Sequence, residues 1–286
     1  MKYKISGFIC LTISSFTLAV TLFSIEPATI TGDKMKILSK GDIMEFIGHV
    51  KLIQDNLEIT SDNMKSNNKT DVVSARGNVY VHYSSGTSNT YAWSEEAEYN
   101  KNDGSGVFSV NVKTKRYLSD NTTDFINLTC DRLELSKTDV VSAKGNVYIH
   151  YSSGTSNTYA WSEEAEYNKN DGSGVFSVNV KVKRFLSEST TDFVNLTCDK
   201  LELFDFGKKL HAVKNVKISQ AATETQSNEA FYDRKSNEIL LLGGPPKITR
   251  TEDTGYSEYS GDKITMLLGR ETVEILGNVK TKMIVK

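Results

Sequence analysis

Eight times along this chain a small residue is followed by an acidic or amide residue, and about sixteen positions later comes an Asn-Val pair or a variant of it. The first halves are Gly32-Asp33, Ser61-Asp62, Ser94-Glu95, Cys130-Asp131, Ser162-Glu163, Cys198-Asp199, Ser227-Asn228 and Gly261-Asp262. The partners are His49-Val50, Asn78-Val79, Asn111-Val112, Asn146-Val147, Asn179-Val180, Asn215-Val216, a degenerate Gly243-Gly244-Pro245-Pro246, and Asn278-Val279. Self-similarity at a near-constant spacing is the signature of stacked units, each contacting its neighbours. It constrains the fold more than any single residue does.

The repeat contains a second, longer one. Residues 70–135 match 138–203 at an offset of 68, with 8 differences in 66 positions, all mild. The copied block equals two motif units. A closed globular core does not readily accept so long an insertion, whereas a stack grows by whole units.

Each unit reads as two strands. In the second strand of one unit Val73, Ala75, Gly77, Val79, Val81 and Tyr83 alternate with Arg76, Asn78, Tyr80 and His82. A period of two with one apolar face is a half-buried strand. In the first strand Ile126, Leu128 and Cys130 alternate, then Leu133 and Leu135 continue one step out of register. One extra residue in a strand is a bulge, which bends it. The small-acidic pair is therefore expected to mark a bend, with the acid outside capping freed backbone donors. Turn signals such as Asn102-Asp103-Gly104 and Asn170-Asp171-Gly172 fall between strands. Eight units of two strands predict an all-β protein of about sixteen antiparallel strands in two facing sheets.

Composition removes several function classes. The net charge of −2 gives no basic field for nucleic acid. The 4 His, His49, His82, His150 and His211, stand in no motif that puts a nucleophile beside them, so no catalytic site, cofactor or metal is expected. Cys130 and Cys198 occupy the small position of their units and read as small buried residues rather than a disulfide or a metal pair. Residues 1–28 read as a targeting segment: Lys2 and Lys4 precede an apolar run from Ile5 to Phe23. Cleavage as a signal peptide and retention as a membrane anchor both stand, and both export residues 29–286 as one repeat domain.

Several segments resemble a known family. Gly-Asp-Lys-Met-Lys-Ile (32–37), Ile-Gly-His-Val-Lys-Leu (47–52), Ala-Arg-Gly-Asn-Val-Tyr-Val (75–81) and Leu-Gly-Asn-Val-Lys-Thr (276–281) are similar to the OstA-like repeats of the LptA-type lipopolysaccharide-transport family. The resemblance implies an open, twisted β-jelly roll in the periplasm of a Gram-negative cell. It implies that lipopolysaccharide is carried between inner and outer membranes, its lipid A acyl chains in an apolar groove. It further implies partners with OstA-like domains at both membranes and head-to-tail self-association through edge strands. The membrane-anchored LptC-like type of that family is the alternative if the N-terminal segment is kept.

Physical chemistry supports a shielded path, since an acyl chain gains about 0.8 kcal/mol per CH₂ removed from water. The residues expected to line the groove are Phe46, Val50, Val79, Val81, Val112, Val147, Ile149, Val180, Val216 and Val279. Alternation serves a dry core equally well, so an exported structural or adhesive solenoid is the rival, and a carrier of another lipid such as a phospholipid is a third reading. Ile30, Met35 and Ile37 in the first unit and Val273, Ile275 and Met283 in the last are the expected edge-strand docking residues. Terminal lysines such as Lys280 and Lys282 are the competing device, blunting the same edges.

Overall fold

The computed structural model describes residues 29–86, 88–118, 124–153, 156–185, 193–252, 255–267 and 272–285. The expected targeting segment lies outside them. The described residues form two compact units, one running from Thr29 to Ser153 with Glu166–Lys169 and one of residues 156–165 with those from Asn170 onward.

In the first unit the strands are β1 (Thr29–Thr31), β2 (Lys34–Leu38), β3 (Ile43–Gln54), β4 (Leu57–Asn67), β5 (Val72–Ser85), β6 (Ser88–Asn100), β7 (Gly106–Tyr117), β8 (Phe125–Leu135) and β9 (Val140–Ser153). From β3 to β9 each strand pairs antiparallel with the next. The second unit holds most of β10 (Ser156–Asn168), then β11 (Gly174–Phe185), β12 (Phe193–Phe204), β13 (Lys209–Gln220), β14 (Thr223–Asp233), β15 (Glu238–Leu242), β16 (Lys247–Glu252), β17 (Gly255–Ser260), β18 (Lys263–Leu267), β19 (Thr272–Leu276) and β20 (Lys280–Val285). Antiparallel pairing joins β11 to β12, β12 to β13 and β13 to β14. Apart from a single turn of 3₁₀ helix at Ser39–Gly41, the described residues form antiparallel strands and turns.

Twenty strands reconcile with the sixteen expected. β3 to β14 are continuous passes, and four further passes are broken at the motif. β1 and β2 pair with the two ends of β3 on either side of Gly32-Asp33. Likewise β15 and β16 both pair with β14 around the Gly243–Pro246 break. β18 and β17 continue on β15 and β16, and β19 and β20 continue on β18 and β17. The two prolines explain the break at the seventh unit, because proline cannot donate to a ladder.

The duplication is reproduced strand by strand. β5 to β8 begin at 72, 88, 106 and 125, and β9 to β12 begin at 140, 156, 174 and 193, each 68 residues on. Among these eight strands, the first four and β9 lie in the first unit, and most of the rest lie in the second. In the second unit Ile239 and Leu241 face Met266 and Ile264 across β15 and β18, all essentially inaccessible.

Candidate lipid-binding groove

The motif is a crease. Between Ile47 and Val50, β3 spends two residues against one, Asp62, on β4. The same excess recurs at Gly77-Asn78, at Val110-Asn111, at Gly145-Asn146, at Val178-Asn179 and at Lys214-Asn215. Both residues of each pair have positive φ, as with Gly77 at 74° and Asn78 at 48°. The phase change read at Cys130–Leu133 is real, with Cys130 and Leu133 both buried and Asp131 and Arg132 exposed between them. The extra residue, however, sits on the facing Asn-Val strand. The acid does not chiefly cap backbone donors, as expected from sequence, but accepts a hydrogen bond from the partner side chain.

That bond locks the crease. Asn78 Nδ2 donates to Asp62 at 2.9 Å, Asn146 to Asp131 at 3.1 Å, Asn215 to Asp199 at 3.1 Å and Asn278 to Asp262 at 2.9 Å. In the first unit His49 Nδ1 stands 2.8 Å from Asp33, and this hydrogen bond raises the imidazole pKa above its ordinary value. Asparagine tolerates the left-handed conformation and carries the amide the acid needs. Glycine precedes it for a steric reason: a Cβ at Gly48, Gly77, Gly145 or Gly277 would run into the carboxylate of Asp33, Asp62, Asp131 or Asp262.

Each crease divides a strand into two limbs. In the first unit, Ile59 and Val81 on one limb and Met64, Val73, Ala75, Tyr99 and Phe108 on the other line one apolar cavity, so the limbs face each other. The cavity holds about 30 Å³, close to one water molecule, and the limbs are otherwise packed. Near the limb tips, burial lowers the pKa of Arg116, and burial followed by the neighbouring Arg116 charge lowers that of Lys169 against an opposing pull from Asp139.

Phe46, Val50, Val79, Val81, Val112, Val147 and Ile149 lie buried inside the first unit, and Val180 and Val216 inside the second. Val279 differs: it follows the break between β19 and β20 and is 55% exposed. Alternation carried past a broken strand placed it wrongly on the inner face. Of the edge residues, Met35, Ile37 and Met283 are exposed, while Ile30, Val273 and Ile275 are half-buried in edge strands.

Cys130 and Cys198 are free and buried, and burial pushes both thiols up to about 12. The remaining histidines occupy outer surfaces. His82 stacks on Tyr91 at 4.8 Å, His150 meets Phe125 edge-on, and His211 bridges Glu202 and Glu229.

A feature missed in the sequence lies on the outer face of the limb beyond the crease. Tyr80, Tyr91 and Trp93 cluster with centroids 5.7–6.5 Å apart, and Tyr117 and Phe125 extend the row beneath the Lys115 ammonium. The second unit repeats it with Tyr159, Trp161, Phe185, Phe193 and Lys183. The signal was the period-two set Asn89, Tyr91 and Trp93, whose partners across the sheet only the register supplies.

Residues 29–134 match the family model described as LptA/(LptD N-terminal domain) LPS transport protein. Among solved structures, LptH of Pseudomonas aeruginosa, described as the LptA homologous periplasmic component of the conserved lipopolysaccharide transport device, is similar over 42% of this chain and 83% of its own, with 14% identity and a TM-score of 0.36. Comparison with characterised protein sequences gave no match. Residues 29–134, a little over a third of the chain, are thus similar to the LptA/LptD N-terminal family of lipopolysaccharide-transport proteins.

Proposed function

We propose that this protein is a periplasmic lipopolysaccharide carrier that shields lipid A acyl chains between its facing limbs. The observation that carries the reading is the buried row Val50, Val79, Val112 and Val147, repeated along consecutive creases of one unit and joined by Val180 and Val216 in the other. Such rows offer apolar surface within each unit. With only about 30 Å³ between the limbs at the cavity beside Ile59 and Phe108, they must part for a chain to enter. Loading exchanges limb-limb contact for limb-acyl contact, which keeps the apolar area out of water in both states. Partners carrying OstA-like domains dock on the open edges of β2, β19 and β20 by strand addition.

The test is photo-crosslinking from positions 79, 147 and 180 against 78 and 146, in cells making lipopolysaccharide. Inward positions label the acyl chains of lipopolysaccharide and outward positions do not; equal acyl labelling sinks the groove. The same packed interior favours a second reading, a structural solenoid with a dry core. That reading requires outer-membrane assembly to survive depletion of the protein, whereas lipopolysaccharide accumulating at the inner membrane excludes it.

A further inference from the structure

Two creases depart from the motif in three ways at once. Their acid is glutamate, Glu95 and Glu163; the glycine before the asparagine is replaced by Val110 and Val178, with φ of 65° and 64°; and a tryptophan stands two residues before the acid, Trp93 and Trp161. A β-branched residue at positive φ is a strained conformation, and such strain persists where the surroundings hold it, often at binding sites. No polar partner engages Glu95, Asn111 or Lys113 among the described residues, although every Asp-Asn crease of the chain is closed by a hydrogen bond. All three are exposed, and Lys113 lies directly across the ladder from Trp93. Together with Asn78, Thr129 and Asn146 they surround an open pocket of about 810 Å³ walled by Trp93. That is within the range of small-ligand sites.

We propose that this crease is a sugar-binding site, taking a pyranose ring of a glycan chain against the indole of Trp93. The exposed face of the indole is its electron-rich face, which attracts the weakly positive C–H bonds on one side of a pyranose. Glu95 accepts from ring hydroxyls, Lys113 donates to them, and Asn111 does both, so both hydrogen-bonding roles of a hydroxyl are met. Glu95 and Lys113 offset each other and Asp131, bonded to Asn146, leaves the lining mildly acidic, which suits a polyhydroxyl ligand rather than an anion. Trp161, Glu163, Asn179 and Lys181 carry the same set, similarly exposed, in the second unit. The site is on the outer surface and does not depend on lipid entering between the limbs.

The chain has two tryptophans, Trp93 and Trp161, so indole emission reports on these creases alone. In full-length protein carrying Trp161→Phe, the emission of Trp93 is followed during titration with two probes. One is the lipid-free core oligosaccharide released from lipopolysaccharide, and the other is a soluble N-acetylglucosamine oligomer. Saturable change with the first identifies the carried lipid's own sugars, with the second a cell-wall type of glycan, and either supports the site. In that background Glu95→Gln weakens binding about tenfold, as loss of a hydrogen bond to a charged group does. Asn111→Asp is the second variant: it keeps shape, removes the amide donor and weakens binding as well. No saturable change with either probe, or binding indifferent to both substitutions, overturns the proposal, whatever the crosslinking of the interior shows.

Discussion

The Asp-Asn crease at Asp131–Asn146 and the Glu-Asn crease at Glu95–Asn111 build the same bulge by different means. In the first, a 3.1 Å side-chain bond closes the bend and Gly145 makes room for the carboxylate. In the second the longer acid is not engaged, and Val110 holds the left-handed backbone unaided by glycine. Register is the same in both, three residues against two. The bulge is therefore imposed by pairing and by the buried row on either side of it. The lock is a local addition whose loss the stack tolerates. Lys214, in the locked crease of Asp199, shows that glycine too is replaceable beside a bonded acid.

The largest expected effect concerns the buried thiols that flank the locked creases. With Cys130 and Cys198 pushed up to about 12 from an ordinary 9.0, the thiolate fraction near pH 8 falls about a thousandfold, and labelling of the folded protein falls with it. Thiol labelling in a Cys10→Ser background, followed against time in buffer and in denaturant, measures this. Fast labelling in buffer would show that the locked crease opens as freely as an unlocked one, and the comparison would break. Addition of lipopolysaccharide under the same conditions asks whether parting of the limbs exposes these positions.

Next comes the glycine. Gly145→Val puts a branched Cβ into the Asp131 carboxylate at a φ of +73°, and a cost of about 2–3 kcal/mol is expected in denaturant unfolding. Val110→Gly in the open crease relieves strain but frees the unfolded chain, so it changes stability by less than about 1 kcal/mol. Equal costs at the two sites would mean that the carboxylate plays no part in selecting glycine.

The sequence carried the fold further than the site. The period-two apolar rows, the phase change at Cys130–Leu133 and the 68-residue offset are one-dimensional facts, and the strands follow them. The spacing set each acid against its asparagine, but the bond between them was not legible, because only strand pairing brings residues about sixteen apart into contact. The exchange of Asp for Glu looked conservative for the same reason; its consequence appears only beside Asn111 and Trp93. Val279 failed because alternation was extended through a break that Gly277 and Asn278 place between β19 and β20. The aromatic row on the outer face escaped because its members lie on different strands, as with Tyr117 and Phe125 on β7 and β8.

A smaller effect isolates the lock itself. Asn146→Ala removes both the amide that bonds Asp131 and the side chain that tolerates positive φ. Asn111→Ala removes only the latter. Alanine in the left-handed region costs about 1–2 kcal/mol at both sites, and the exposed hydrogen bond adds about 0.5–1 kcal/mol at the first alone. The difference between the two, measured by chemical denaturation, is the lock. A difference of zero would reduce it to a surface contact without energetic weight.

The smallest effect is a pH dependence confined to the first crease, where histidine replaces asparagine. The Asp33 hydrogen bond, and after it the Asp33 charge, raise His49 above its ordinary 6.5. A group whose pKa is raised on folding binds its proton more tightly in the folded state. Its contribution is therefore complete below pH 6.5 and is lost as pH climbs through the higher folded value. Both side chains are exposed, so solvent and salt screen the pair and the change is small. His49→Asn installs the amide used by the other creases and should flatten the dependence in this window while keeping the bond to Asp33. Thermal unfolding between about pH 5.5 and 8.5 at low and high salt measures it. Since β1 and β2 meet β3 only on either side of this crease, fraying of those two strands is where the loss should first be seen, by amide exchange at Ile30 and Met35. If wild type and variant show the same slope, the histidine lock contributes nothing that asparagine does not, and the first crease joins the other Asp creases without distinction.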